Sequence, residues 1–288
     1  MTAPRAARKS GRPSSTRWVT SWDGTAIAAE SFGRGPALVL VDGALCHRRM
    51  GPAMALAEAL CDDFTVWLYD RRGRGQSVAA PPAAAEREID DLAAVLAAAG
   101  GHAFVWGTSS GAVLALDAAA HVDGIERLAL YEAPLIVDAS RPATTGDWAA
   151  IGAAVAAGRR GEAVRRFLRC VGMPWIATVA MRCLPVWKQL EAVAPTLPCD
   201  GALVADLQRG EPPPAARWRD VRVPVMVLDG GASADWMRHG NAALATVLAD
   251  ATYRTLPGEN HMLKARVHAP VLKAFFSPAR GTTHPPGR

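Results

Sequence analysis

Gly107-Thr108-Ser109-Ser110-Gly111 follows the apolar run Ala103-Phe104-Val105-Trp106 and precedes Ala112-Val113-Leu114-Ala115-Leu116-Asp117-Ala118-Ala119-Ala120, which reads as a helix. Where a strand turns sharply into a helix, the serine of G-x-S-x-G sits on a strained, exposed turn. The positions two before and two after it must then be small, so that strand and helix backbones can approach. Glycine fills both places here. The chemistry this arrangement supports is nucleophilic attack by a hydroxyl, and the glycine frame selects Ser109 for it. Ser110 is better placed to offer its backbone N–H than its side chain. In a chain with 26 glycines the five-residue pattern also arises by chance, so the flanking strand and helix carry the assignment.

The elements around this turn follow one rhythm. Arg17 to Ser21 and Thr25 to Phe32 read as a hairpin about Asp23-Gly24, and Pro36 to Val41 is a continuous apolar run expected of a strand buried on both faces. Helix over Pro52 to Leu60, strand over Phe64 to Tyr69, helix over Ala84 to Ala99, the elbow strand and its helix, and strand over Ile125 to Tyr131 come next. Such alternation specifies a mostly parallel sheet with helices on both faces. From about 137 to 219 the strands stop, and helices are expected over Asp147 to Ala157, Glu162 to Cys170, Trp187 to Val193 and Asp200 to Gln208. The sheet pattern resumes at Val223 to Leu228, with a helix near Asn241 to Leu248, a last strand at Ala251 to Leu256 and a final helix near Val267 to Phe276. The expected organisation is a disordered basic leader over 1–17, an α/β core over 18–136 and 220–277, a helical cap over 137–219 and a flexible tail over 278–288. A cap placed between strands lies over their carboxyl ends, where ligands bind in open parallel sheets.

Composition excludes several function classes. With 288 residues, 50% hydrophobic and 20% charged, the chain is globular and long enough for one large domain with an insertion. Its net charge of +5 sits at the ends: the first 17 residues hold five basic side chains and the last 11 hold two, with no acidic ones, which leaves 25 basic against 27 acidic in the body. Nucleic-acid binding is therefore not expected. Cys46, Cys61, Cys170, Cys183 and Cys199 are odd in number and lack C-x-x-C spacing, which argues against a disulfide framework or zinc site and for a reduced, cytoplasmic setting. No stretch has the length of a membrane span or a signal-peptide core. No metal or cofactor is expected, a small-molecule substrate is the expected partner, and the oligomeric state is not readable.

A strand ending in Asp42-Gly43, the turn Tyr69-Asp70-Arg71-Arg72-Gly73-Arg74-Gly75-Gln76-Ser77, the elbow, and Gly258-Glu259-Asn260-His261 after the last strand occur in that order. Together they resemble the α/β-hydrolase superfamily over nearly the whole chain, from about Val19 to Phe276. The resemblance implies an eight-stranded core with a helical cap, and a nucleophile, an acid and a histidine. His261 matches the catalytic histidine, a base that can take the serine proton and return it to the leaving group. It also makes the Asp70 to Gly75 segment a family turn rather than a phosphate loop. The backbone N–H groups of Ala44 and Ser110 would form the oxyanion hole. Asp42 stands where His is more common and is expected to hold the turn. Cys46 beside His47 suggests a reactive pair, with a buried thiol at the pocket floor preferred.

The acid departs from the common pattern. The resemblance places it shortly after the Val223 to Leu228 strand, where this chain has Ser233, which cannot balance an imidazolium as a carboxylate does. Haloalkane dehalogenases and certain lipases use instead an acid at the end of the strand after the elbow helix. Glu132 occupies that point and is preferred, with Asp235 second and Asp229 third. The alternative for Glu132 is a carboxylate paired with an arginine at the cap hinge. Trp175, Trp187 and Trp236 are the expected pocket aromatics. The expected function is a serine hydrolase cleaving an ester, lactone or thioester of a fairly apolar small molecule through an acyl-enzyme, a carboxylic ester hydrolase. Serine as nucleophile argues against the aspartate-dependent dehalogenases and epoxide hydrolases. Carbon–carbon bond hydrolysis or a non-hydrolytic lyase reaction is the second reading, and a ligand-binding pseudoenzyme, suggested by Ser233, is the third.

Overall fold

The computed structural model describes residues 15–77 and 85–277. Eight strands form one sheet: β1 (Arg17–Thr20), β2 (Ala26–Gly33), β3 (Ala37–Val41), β4 (Thr65–Tyr69), β5 (Ala103–Thr108), β6 (Ile125–Tyr131), β7 (Val225–Gly230) and β8 (Ala251–Leu256). Their spatial order is β1-β2-β4-β3-β5-β6-β7-β8, antiparallel at β1/β2 and β2/β4 and parallel from β4 onward. The core helices are α1 (Ala53–Leu60), α2 (Ala85–Ala98) and α3 (Ser110–Ala119). Five helices follow between β6 and β7: α4 (Thr145–Ala156), α5 (Arg160–Cys170), α6 (Trp175–Met181), α7 (Val186–Val193) and α8 (Leu197–Val204). The chain then returns to the sheet with α9 (Asp235–Val247) and α10 (Ala265–Phe276).

The uninterrupted apolar runs are explained by burial on both faces. Successive side chains of a strand point to opposite sides, so Leu38 and Leu40 pack with α1 and α10 while Val39 and Val41 pack with α2 and α3. Trp106, Tyr131 and Leu228 continue the first layer, which Phe104 and Phe276 close with rings stacked 5.1 Å apart. Val105, Leu130 and Val227 continue the second. That second layer is continuous with the helical insertion: Ala163, Val164, Phe167 and Leu168 of α5 face inward at helical spacing, and Arg160, Arg165, Arg166 and Arg169 face solvent.

The parallel register sets up the site. Thr108 pairs with Tyr131, and Tyr131 with Leu228. Ser109 and Glu132, the next residues along β5 and β6, therefore leave neighbouring strands side by side at their carboxyl ends.

Element boundaries match the sequence reading to within a few residues, with three differences. Arg17, where the expected leader and the expected first strand overlap, belongs to β1 and pairs with Ala29 of β2, while residues 1–14 and 278–288 fall outside the described residues. Helix α9 begins at Asp235, six residues earlier than expected. Helix α6 was not anticipated, because its apolar side chains follow no inward-facing stripe: Trp175 is 70% exposed and Ile176 64%. Among the described residues no helix is long and apolar enough to cross a membrane.

Candidate active site

Ser109 sits between β5 and α3 with φ 54° and ψ −129°, a backbone conformation costly for any residue with a Cβ. Close packing explains the glycines around it. A Cβ on Gly111 would lie 2.4 Å from the Val41 carbonyl oxygen, and one on Gly107 would lie 2.5 Å from the Gly111 carbonyl oxygen. Gly43 brings the β3 turn equally close, since a Cβ there would meet the Ser109 Cβ at 2.9 Å. Among the described residues, neither the Ala44 nor the Ser110 N–H has a protein acceptor. Arg74 Nη1 donates to the Gly43 carbonyl at 2.7 Å. In a trans peptide the C=O and the following N–H point in opposite directions, so this bond turns the Ala44 N–H away from Arg74.

Glu132, completely buried and at φ 49°, ends β6. Its Oε2 lies 2.7 Å from His261 Nδ1. Its Oε1 accepts the Gly230 N–H at 2.9 Å and the hydroxyl of Ser233. Burial alone would raise the Glu132 carboxyl, but the His261, Ser233 and Gly230 hydrogen bonds outweigh it and hold the group below the ordinary carboxylate range. Ser233, at the position where a carboxylate was expected, thus donates to the carboxylate of the neighbouring strand. The β8–α10 loop bearing His261 is tied down by Tyr131, whose hydroxyl donates to the Asn260 carbonyl at 2.6 Å. The hinge-arginine alternative for Glu132 is not what the structure places there. Asp235 is exposed and pairs with Arg238, and Asp229 accepts the Tyr253 hydroxyl. Neither alternative acid touches His261.

Ser109, His261, Glu132, Ala44 and Ser110 all line one cavity of about 280 Å³. Pro134, Ala232, Ala234, Trp236, Met237 and Met262 continue the wall, and the insertion supplies Trp148, Phe167, Cys170, Val171, Val204 and Gln208. Of the three tryptophans expected in the pocket, only Trp236 is there. Trp175 lies on the solvent face of α6, and Trp187 is buried within the insertion with its indole N–H donating to Glu191. Trp148 takes the expected place, its N–H donating to Gln208 Oε1 at 2.8 Å, with Gln208 anchored in turn to the Pro134 carbonyl. Cys46 is not at the pocket floor. It packs beside Gly51, and burial, ahead of nearby Asp42, pushes its thiol up to about 12. Asp42 is also buried outside the cavity wall.

Beneath the site lies a charged group that the sequence did not reveal. Asp200, on α8 and fully buried, accepts Arg74 Nη2 on both oxygens at 2.9 and 2.8 Å, Arg71 Nη1 at 3.0 Å and the Ser110 hydroxyl at 2.7 Å. Arg71 also pairs with Glu88 at 2.6 and 2.8 Å and donates to the Asp42 carbonyl at 3.2 Å. Burial would raise the Asp200 carboxyl, yet Arg74 and Arg71 hold it below its ordinary value. One side chain of the insertion is therefore wired to the elbow and to the turn before Ala44. Its only signal in the sequence is a lone acid within the apolar segment Leu197 to Val204.

Known proteins place this geometry in context. The chain is 47% identical to an alpha/beta hydrolase from Sphaerobacter thermophilus DSM 20745, with a TM-score of 0.83 over 91% of this chain and all of that one. It is 25% identical to a thermophilic esterase from Thermogutta terrifontis, with a TM-score of 0.62 over 91% of this chain and 97% of the other. It shares its fold with the enol-lactonase from Burkholderia xenovorans LB400, at 22% identity and a TM-score of 0.66 over 90% and 99% of the two chains. No curated protein matches the chain significantly. The model of the alpha/beta hydrolase family matches residues 32–269, from within β2 to within α10, and the chain belongs to that family.

Proposed function

We propose that the protein is a serine hydrolase that cleaves an ester, lactone or thioester of a small molecule with an apolar body, through an acyl-enzyme. The observation that carries this reading is the 2.7 Å contact between His261 Nδ1 and the buried Glu132, in a cavity whose wall also holds Ser109 on its elbow. With Nδ1 held by the carboxylate, Nε2 is the ring nitrogen left to act on the serine. His261 takes the Ser109 proton as Oγ attacks the substrate carbonyl, and the charge that develops on the carbonyl oxygen is received by the Ala44 and Ser110 N–H groups. Protonated His261, its charge balanced by Glu132, gives the proton to the leaving oxygen or sulfur. Water then repeats the sequence on the acyl-enzyme and regenerates Ser109.

An esterase and an enol-lactonase among the similar structures support ester or lactone chemistry. The motive for a pseudoenzyme was Ser233 in place of an acid, and that motive weakens once Ser233 braces Glu132. The test is labelling with a fluorophosphonate probe together with turnover of short acyl esters. Labelling at Ser109 that disappears in Ser109→Ala and His261→Ala is the expected result. A folded Ser109→Ala protein with wild-type ester turnover would remove the mechanism.

A further inference from the structure

The cavity wall holds one arginine and, among the described residues, no lysine. Arg141 lies between β6 and α4, its guanidinium carbon 4.3 Å from the centre of the Trp236 ring, and its Nη2 donates to the Cys170 carbonyl. Trp236 and Cys170 are themselves wall residues, so the guanidinium is fixed in the wall from two sides. What it lacks is a paired carboxylate, although Asp147 of α4 is near enough to act on it through its charge. The buried Arg71, Arg72 and Arg74 each pair with at least one carboxylate, whereas no carboxylate of the described residues pairs with Arg141. Its Nε and Nη1 have no acceptor among those residues either. Burial disfavours the charged form and outweighs the opposing pull of Cys170 and Asp147, so the Arg141 pKa is lowered.

A half-buried, preoriented guanidinium that no carboxylate of the described residues pairs with is suited to an anion brought in from outside. The planar fork of a guanidinium fits a carboxylate, two N–H donors to two oxygens. The same fork also fits phosphate, but with a single arginine and no lysine among the described wall residues, the charge of the wall matches a monoanion better than a phosphate dianion. The only carboxylate in the wall, Glu132, is already engaged by His261, Ser233 and Gly230. Asp42 lies outside the wall. At about 280 Å³ the cavity is at the small end for ligand sites, which limits the spacer between anion and reacting carbonyl to a few carbons. We propose that Arg141 binds a free carboxylate carried by the substrate, so that the preferred substrates are small esters or lactones with a second, ionised carboxyl group.

This inference rests on the serine-hydrolase reading for its turnover arm and is independent of it for its binding arm. Turnover compares the mono-p-nitrophenyl esters of succinate and glutarate with the same compounds methyl-capped at the free acid. The wild type is expected to favour the free acid at one of the two lengths by about tenfold or more in kcat/KM, mostly through KM. Arg141→Gln should bring that ratio near one, with Arg141→Lys between the two. Equal use of free and capped esters by the wild type overturns the proposal without relying on any variant, and so does an Arg141→Gln enzyme that keeps the wild-type ratio. The binding arm uses calorimetry on Ser109→Ala with monomethyl and dimethyl glutarate. Tighter binding of the monoacid, lost when Arg141→Gln is added, supports the site. Equal binding of the two overturns it. If the wild type neither turns over any ester nor takes a fluorophosphonate label, the hydrolase reading falls and the binding arm still decides the role of Arg141.

Discussion

Leu45, Ser109 and Glu132, with φ of 58°, 54° and 49°, are the residues other than glycine that hold positive φ in the described structure. They fall on the turn after the proposed oxyanion position, on the elbow and at the proposed acid. Such conformations cost on the order of 1–3 kcal/mol each and persist only where surrounding structure enforces them. Glycine relieves that strain at a cost of roughly 0.5–1 kcal/mol in unfolded-chain entropy. Ser109→Gly should therefore melt above Ser109→Ala, although both lack the hydroxyl; equal or reversed melting temperatures would show the turn to be relaxed. Glu132→Gln keeps the shape and loses the charge, and should lower kcat by about 10²- to 10⁴-fold. Asp235→Asn, at a solvent-exposed ion pair, should leave kcat close to wild type, and the reverse ranking of these two in steady-state kinetics would refute Glu132 as the acid. Asp42 gives a pH signature. Burial pushes its carboxyl up to about 7 against the pull of Arg74 and Arg71. The native state thus keeps a proton that the unfolded chain gives up near its ordinary value, and stability falls as pH rises from about 4 toward 7. Asp42→Asn should remove that slope, gaining more stability at pH 8 than at pH 4 in urea titrations.

At the scale of elements, α8 is tied to the elbow and to the β3 turn through Asp200. Removing one partner of a buried ionic group costs about 3–5 kcal/mol, because the others remain buried and uncompensated. Asp200→Asn should lose stability of that order at neutral pH. Because the Asp200 carboxyl is held below its ordinary value, its contribution is present above the usual carboxylate range and lost as pH falls through its depressed value, so the penalty should shrink in acid. The same variant loosens Arg74, which orients the Gly43–Ala44 peptide, so kcat should fall more than KM changes; a destabilised enzyme with full kcat would confine Asp200 to architecture. This contact also marks where sequence reading stops. The β5–α3 elbow was legible because its requirements are local: two glycines, a strand before and a helix after. The Glu132–His261 contact was legible because the place of Glu132 is set by a strand end. Asp200 meets partners 90 to 129 residues away, and nothing in its neighbours' types announces them. Trp175 and Trp187 misled for a related reason: an indole faces the cavity or not according to how each insertion helix is rotated, which depends on packing among five helices.

Across the whole molecule, the cavity exists only because two parts of the chain close on each other. The sheet ends contribute Ser109, Glu132 and His261, the proposed reacting groups, and α4, α5 and α8 contribute the opposite wall. Substrate size should accordingly be tuned from the insertion. Phe167→Leu should shift the preferred acyl chain to greater length, while turnover of an acetyl ester changes less; equal losses across a series of p-nitrophenyl esters would signal a general packing defect instead. The loop from β7 to α9 has a different freedom. Since the proposed acid stands at the end of β6, its contacts with this segment are the Gly230 N–H and the Ser233 hydroxyl, and beyond Ser233, Ala234 and the start of α9 (Trp236 and Met237) supply cavity wall, Trp236 also seating Arg141. Under the proposed triad, selectivity and chemistry lie on different stretches of chain: changes after Ser233, through Ala234 and the start of α9, can reshape the cavity without touching the Glu132–His261 contact.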